Sequence, residues 1–546
     1  MRSIVSAAAL LATLAVPAVG QPAPAARTAA ATAGAPPKLI VVISVDQFSA
    51  DLFQTYRGTF TGGFKRLLGG VVFPSGYQSH AATETCPGHS TITTGDHPAR
   101  TGIVANDWID LTTPRADKTV YCAEDESVAG STSTAYTVSD KHLRVPTLGE
   151  RMKAALPATR VYSVAGKDRA AVMMGGHAVD QLWWWDGKAY VSYAGRTAPA
   201  AVTALNTAVT ARLAQTQPPL EPPAFCAAYD RAVDIGGGKS VGAGRFARAA
   251  GDTRAYRASP EFDGATLALA AQLIVTGRLG KGNTTDIVSV GASATDYVGH
   301  TYGPGGLEMC LQLASLDRDL AGFFDVLDRS GVDYEVALTA DHGGLDIPER
   351  ARTNGQPTAQ RVDPGLTAKA VSDAIGPRLK MTGQLLWGGA FGDVWVDPKL
   401  APADRKRVIA AAIAAYRAFP QVETVLTAEQ IAATRPATTT PDRWTMLERA
   451  RASFDPQRSG AFNVVLKKYV TPIADPTKGY VATHGSFWDY DRRVPLLFWR
   501  RGMAPAEVTR PVETVDLAPT LAAVIGLPLP PGAMDGKCLP EVARCR

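Results

Sequence analysis

An α/β fold, with a mostly parallel central sheet sandwiched by helices, is what this chain of 546 residues predicts. Two observations carry that expectation. Four apolar runs are continuous rather than alternating: LIVVISVD (39–46), DIVSVGASATD (286–296), YEVALTADH (334–342) and VPLLFW (494–499). Helical stretches such as ATLALAAQLIVTGRL (265–279) lie between them. Strands apolar on both sides must be covered on both sides, and alternation with helices supplies that cover in a parallel sheet. A fifth, shorter strand is expected in RVYSVAGKDR (160–169). Ligands of such sheets bind beyond the carboxyl ends of the strands, so the polar residues closing each run mark where chemistry is expected.

The remaining elements follow from local signals. In LWWWDGKAYVSY (182–193), two aromatic runs flank Asp186-Gly187, which reads as a hairpin whose tryptophans pack rather than bind. Between His342 and His484 there is no histidine, but there is a strand-like DVWV (393–396) and a helical PADRKRVIAAAIAAYRAF (402–419). We read residues about 350–480 as a smaller subdomain inserted into a catalytic domain of residues 38–546. At the amino end, Arg2 precedes the apolar IVSAAALLATLAV and a small-residue exit at Ala18-Val19-Gly20, so residues 1–20 read as a secretory signal peptide. The Ala/Pro-rich segment 21–37 reads as a flexible lead-in.

Composition narrows the function classes. No later run holds eighteen uninterrupted apolar residues, so no membrane span is expected in the mature chain, which should be periplasmic or secreted. Fifty-six basic against 51 acidic residues leave a formal charge of +5 without basic runs, and no nucleic-acid partner is indicated. Six cysteines in an exported chain favour disulfides. Cys538 and Cys545 are close enough to bridge locally; Cys86, Cys122, Cys226 and Cys310 can be paired in more than one way.

Six ligand-type residues fall where the strands stop. Asp46 closes the first run, and Asp296 and His300 follow the second, spaced so that one helical face carries both. Asp341 and His342 close the third, and His484 just precedes the fourth. Mixed carboxylate and imidazole ligands favour zinc or a similar ion over magnesium or calcium. Six ligands suit two ions with open positions, the pattern of a two-metal catalytic centre.

Together with these residues, TETCPGH (83–89), Asn106, DYVGH (296–300), DHGG (341–344) and THG (483–485) resemble the alkaline phosphatase superfamily. The chain looks most like its bacterial alkaline phosphatases with a threonine nucleophile, relatives of the nucleotide pyrophosphatase/phosphodiesterases. The resemblance runs from about residue 38 to 530 and includes the closing VDLAPTLAAVIGLPLP (515–530). It implies an alkaline-phosphatase-like fold and two Zn2+ per chain. One zinc would be held by Asp296, His300 and His484, the other by Asp46, Asp341, His342 and the nucleophile.

The stretch ATETCPGHSTITTG (82–95) offers several candidate nucleophiles. A cysteine phosphatase needs an arginine six residues after its cysteine, and Ile92 stands there. A sulfatase of the superfamily reads C/S-x-P-x-R, whereas this frame has Thr85 in the first slot and His89 in the last. T-x-P-x-H resembles the phosphatase and phosphodiesterase branches, which makes Thr85 the nucleophile. Pro87 suits the first turn of a helix, which would put Thr85 at an anion-favouring amino end. A metal-coordinated hydroxyl needs no histidine base. Cys86 is read as structural, with a backbone N–H able to reach a phosphoryl oxygen, and His89 as a residue that orients the loop. The resemblance implies that Asn106, Lys167 and Arg169, the last two from GKDR, contact the substrate phosphoryl group.

Charge then selects among substrates. Two zinc ions against three aspartates leave one positive charge, which a Thr85 alkoxide cancels. Lys167 and Arg169 would balance the two charges of a phosphate monoester, while diesters and sulfate esters bring only one. A phosphomonoesterase working through a phosphothreonine, more active at alkaline pH, is therefore expected. A phosphodiesterase or nucleotide pyrophosphatase of the same superfamily is the alternative. A non-enzymatic metal-dependent binding protein, or a serine- and manganese-dependent phosphoglycerate mutase, fits a secreted chain with Thr85 less well.

Overall fold

Six β-branched or leucine-type residues in nine make residues 38–46 a strand former, and the strand they build, β1 (Leu39–Val45), is buried at every position. It forms the middle of a ten-stranded sheet in a computed structural model that describes residues 35–545. The expected signal peptide and the first part of the lead-in, residues 21–34, lie outside the described residues.

The sheet is completed mainly by β2 (Val71–Tyr77), β3 (Val161–Ala165), β4 (Gln181–Trp185), β5 (Tyr190–Val191), β6 (Asp286–Ala292), β7 (Tyr334–Thr339) and β8 (Arg493–Arg500). Their spatial order is β2-β8-β7-β1-β6-β3-β4-β5, with two short strands alongside β2. Neighbours from β7 through β4 run parallel. The strand β8, expected to be parallel, is instead antiparallel to both β7 and β2. A strand buried on both faces inside a sheet is continuously apolar whichever way it runs, so its composition does not encode direction. The β4–β5 hairpin forms around Asp186-Gly187, and Trp183, Trp184 and Trp185 are all buried in the core.

Register decides what reaches the ligand edge. Val45 pairs with Ala292, Ser44 with Thr339, and Ala165 with Gly291. Asp46, Asp341 and Lys167 therefore leave the sheet side by side, one or two residues past their strands. The second apolar run is shorter as a strand than expected. It stops at Ala292, and α3 (Ala294–Tyr302), which follows the catalytic-edge helices α1 (Thr85–Thr94) and α2 (Asp168–Gly175), carries Asp296 and His300 on one face. The core around β1 is tight enough that truncating Ile43, which is fully buried, should cost ~2–5 kcal/mol.

A second, four-stranded antiparallel sheet comprises Leu386–Trp387, Gly392–Val396, Val422–Thr427 and Phe462–Leu466. It has its own apolar cluster with the helices Ala368–Leu379 and Pro402–Arg417. Three disulfides join Cys86 to Cys122, Cys226 to Cys310 and Cys538 to Cys545. Among the described residues, no helix is long and apolar enough to cross a membrane.

Candidate active site

Thr85 is the first residue of α1, which follows an extended Glu84 and ends at Gly95 in the left-handed conformation. Pro87 falls in the first turn, where its missing N–H costs nothing. The Thr85 side chain is fully buried. Its Oγ1 lies 3.3 Å from Lys167 Nζ and 3.4 Å from Arg169 Nη2, so two cations converge on one hydroxyl at a helix amino end.

Asn106 is fixed from two directions. Its N–H donates to Glu84 Oε2 at 2.6 Å, and its Oδ1 accepts the Cys86 N–H at 2.8 Å. The Cys86 N–H, expected to be available to a phosphoryl oxygen, is thus spent on Asn106. With its carbonyl oxygen committed, the Asn106 amide has its NH2 group left to offer. The Cys86–Cys122 disulfide ties the same helix turn to the segment that follows Tyr121. Tyr121 and Tyr136 donate to the two oxygens of Asp168 at 2.8 Å each, and Arg169 Nη1 donates to the Tyr121 hydroxyl at 3.4 Å. Glu84, Tyr121, Tyr136 and Asp168 thus frame the phosphoryl side of the site. None was singled out from sequence; Glu84 stood beside Thr85, but the partners of the other three are set by tertiary contact alone.

On the opposite side, the six expected metal ligands come together. Asp296, His300 and His484 offer donor atoms close enough to share one ion, and so do Asp46, Asp296 and His342. A third combination joins Asp46 and Asp341 with His89. Asp296 therefore reaches toward both halves of the cluster rather than one. His89 Nδ1 lies 2.9 Å from the Thr85 carbonyl and 3.1 Å from Asp341 Oδ2, which pins the first turn of α1 to the end of β7.

The imidazoles are oriented by the backbone. Nδ1 of His300 is 2.8 Å from Ala482 O, that of His484 is 2.8 Å from Thr83 O, and that of His342 is 2.8 Å from Gly343 O. A carbonyl only accepts, so each Nδ1 carries the proton and each Nε2 presents its lone pair to the carboxylates. Those Nε2 atoms lie 3.3–3.5 Å from Asp296 or Asp46 oxygens. Burial drives His342 down to about 3 and lowers His484, keeping both rings neutral. Burial, then the adjacent Asp341 charge, pushes Asp46 well above the usual carboxylate range. Against burial, Asp296 and Asp46 keep the Lys167 ammonium charged, at 2.5 and 2.7 Å.

This donor set fits divalent metal. Asp46 Oδ1 and His342 Nε2 are buried without a hydrogen-bond partner, an arrangement costly unless a cation meets them. Asp46, Asp296 and Asp341 crowd one buried pocket, and the rise of Asp46 reflects burial and the neighbouring Asp341 charge, a strain that a divalent cation would relieve.

Comparison with known proteins agrees with this architecture. Residues 40–487 match the family described as type I phosphodiesterase / nucleotide pyrophosphatase. The chain is 55% identical over 549 residues to alkaline phosphatase PhoK of Sphingomonas sp., covering 98% of each chain. It is 48% identical to alkaline phosphatase PhoD of Zymomonas mobilis, covering 92% of this chain and 88% of that one. The crystal structure of wild-type alkaline phosphatase PafA superimposes with a TM-score of 0.80 at 26% identity, over 94% of this chain and all of the other.

Proposed function

The chain belongs to the type I phosphodiesterase / nucleotide pyrophosphatase family of hydrolytic phosphoesterases, and on that premise we propose that it is an exported, zinc-dependent alkaline phosphatase acting on small phosphate monoesters. The observation that carries the reading is the convergence of Lys167 and Arg169 on Thr85 Oγ1, beside the carboxylate–imidazole cluster. Two fixed cations match a dianionic phosphoryl group better than a monoanionic diester or sulfate.

Zinc fits the mixed Asp/His donors, two ions fit their number, and when bound they supply Lewis-acid charge to the reacting oxygens. Thr85 Oγ1, having lost its proton to solvent, attacks phosphorus in line with the leaving oxygen; the P–O ester bond breaks, the phosphoryl group passes to Thr85, and the leaving oxygen takes a proton from solvent and departs as the alcohol. Water then attacks the same phosphorus, releasing inorganic phosphate and restoring the hydroxyl. Through both steps, the α1 amino end, the Asn106 NH2, Lys167 and Arg169 hold the phosphoryl oxygens. Burial of Thr85 limits competing water around the nucleophile. Activity should rise at alkaline pH as the hydroxyl loses its proton. Export is supported by the pairing of all six cysteines, which suits an oxidising compartment.

An initial-rate panel of a phosphate monoester, a diester and a sulfate ester tests the reading. The monoester should give the highest kcat/KM, and removing Lys167 or Arg169 should cost it roughly a hundred- to a thousand-fold. The Lys167→Ala/Arg169→Ala double variant should shift the monoester-to-diester ratio toward the diester. A wild type that prefers diesters, or a ratio unmoved in the double variant, would point instead to the phosphodiesterase reading.

A further inference from the structure

Gln47 directly follows Asp46, and its backbone sits in the left-handed region at φ 63°. A non-glycine residue holds that conformation only where its surroundings over-determine it. The residue is 1% exposed. In this conformation it aims two donors at two different carboxylates. Its backbone N–H donates to Asp341 Oδ1 at 3.1 Å, and its side-chain Nε2 donates to Asp296 Oδ1 at 3.0 Å.

The amide orientation is chemically determined, because an ionised carboxylate only accepts and the NH2 end must face Asp296. The other end, Oε1, is buried without a hydrogen-bond partner and packs where two glycines make room. A Cβ at Gly299 would overlap Oε1, and one at Gly344 would come within 2.9 Å of Gln47 Cδ. The glycine of DYVGH and the second glycine of DHGG thus both serve the placement of this one side chain.

We propose that Gln47 is the positioning residue that locks Asp296 and Asp341 together and so sets the geometry of both metal half-sites. The inference rests on the two-zinc reading above. Asp296 is offered to both ligand groups, so its rotation would disturb more than one ion. A donor fixed on its oxygen acts as the outer partner that orients a metal-binding carboxylate.

Gln47→Gly tests this, since glycine keeps the left-handed backbone and the N–H to Asp341 while deleting the amide to Asp296. Metal-free wild type and variant are titrated with zinc against a competing chelator. The variant should bind at least one zinc about 10–100-fold more weakly, and excess zinc should recover much of its kcat. Gln47→Asn, which tolerates the same backbone but stops short of Asp296, should show the same loss if the glycine variant does not fold. Unchanged zinc affinities in a folded variant of a zinc-binding wild type would overturn the inference alone. Failure of both variants to fold would also overturn it, by making Gln47 a residue of the fold rather than of the metal site. A wild type that binds no zinc would sink the metal reading as well.

Discussion

His342 and His97 are both largely buried imidazoles lying against carboxylates, yet their surroundings give them opposite charge states. At His342, Nδ1 is committed to the Gly343 carbonyl, Nε2 alone faces Asp46 and Asp341, and burial keeps the ring neutral. At His97, both nitrogens meet carboxylates, Nδ1 at 3.1 Å from Asp535 and Nε2 at 2.9 Å from Glu513. Against burial, Asp535 and Glu513 raise His97 to about 10, making it an imidazolium that ties α1's neighbourhood to the carboxy-terminal segment. The difference lies in what the second nitrogen touches. A backbone carbonyl leaves a lone pair for metal; a second carboxylate demands a second proton and leaves none.

The largest expected contrast between these histidines is in metal dependence. Chelation of the wild type should abolish turnover, and His484→Ala should lose zinc and most activity, because its Nε2 faces Asp296. His97→Gln should keep its full zinc content. Metal analysis beside initial rates checks both, and zinc loss in His97→Gln would break the distinction.

A smaller effect should appear in stability. The folded pKa of His97 lies above the ordinary 6.5, so its contribution is fully present below about pH 6.5 and is lost as pH rises toward about 10. One proton limits the slope to about 1.4 kcal/mol per pH unit. The groups facing the ring are Glu513, Asp535, the Ser79 hydroxyl and the Trp444 ring, with Arg100 on the far side of Asp535. Denaturant unfolding at pH 6 and pH 10 should show wild type losing more stability than His97→Gln. Parallel losses would mean the ring is not charged in the fold.

That contrast also shows how far the sequence could be read. Asp46, Asp341 and His342 are visible because, with Asp296, His300 and His484, six ligand-type residues fall at the ends of buried strands; any one Asp there could be a turn or cap residue. His97 carries the same residue type in a polar segment, and nothing local distinguishes it from a ligand. The antiparallel direction of β8, the pairing of Cys86 with Cys122 and the hold of Glu84 on Asn106 depend on which distant segments meet. Gln47 escaped notice because its backbone conformation, not its residue type, is what aims it at Asp296 and Asp341.

The assignment of Thr85 as nucleophile is tested most directly by trapping the intermediate. Zinc-loaded enzyme is mixed with a phosphate monoester, quenched in acid within one turnover, and the peptide spanning residues 82–95 is mapped for phosphate. Thr85 should carry it, and a folded, zinc-loaded Thr85→Ala should form none while its turnover falls on the order of a million-fold. Phosphate on another residue, or substantial turnover in that variant, would contradict the account.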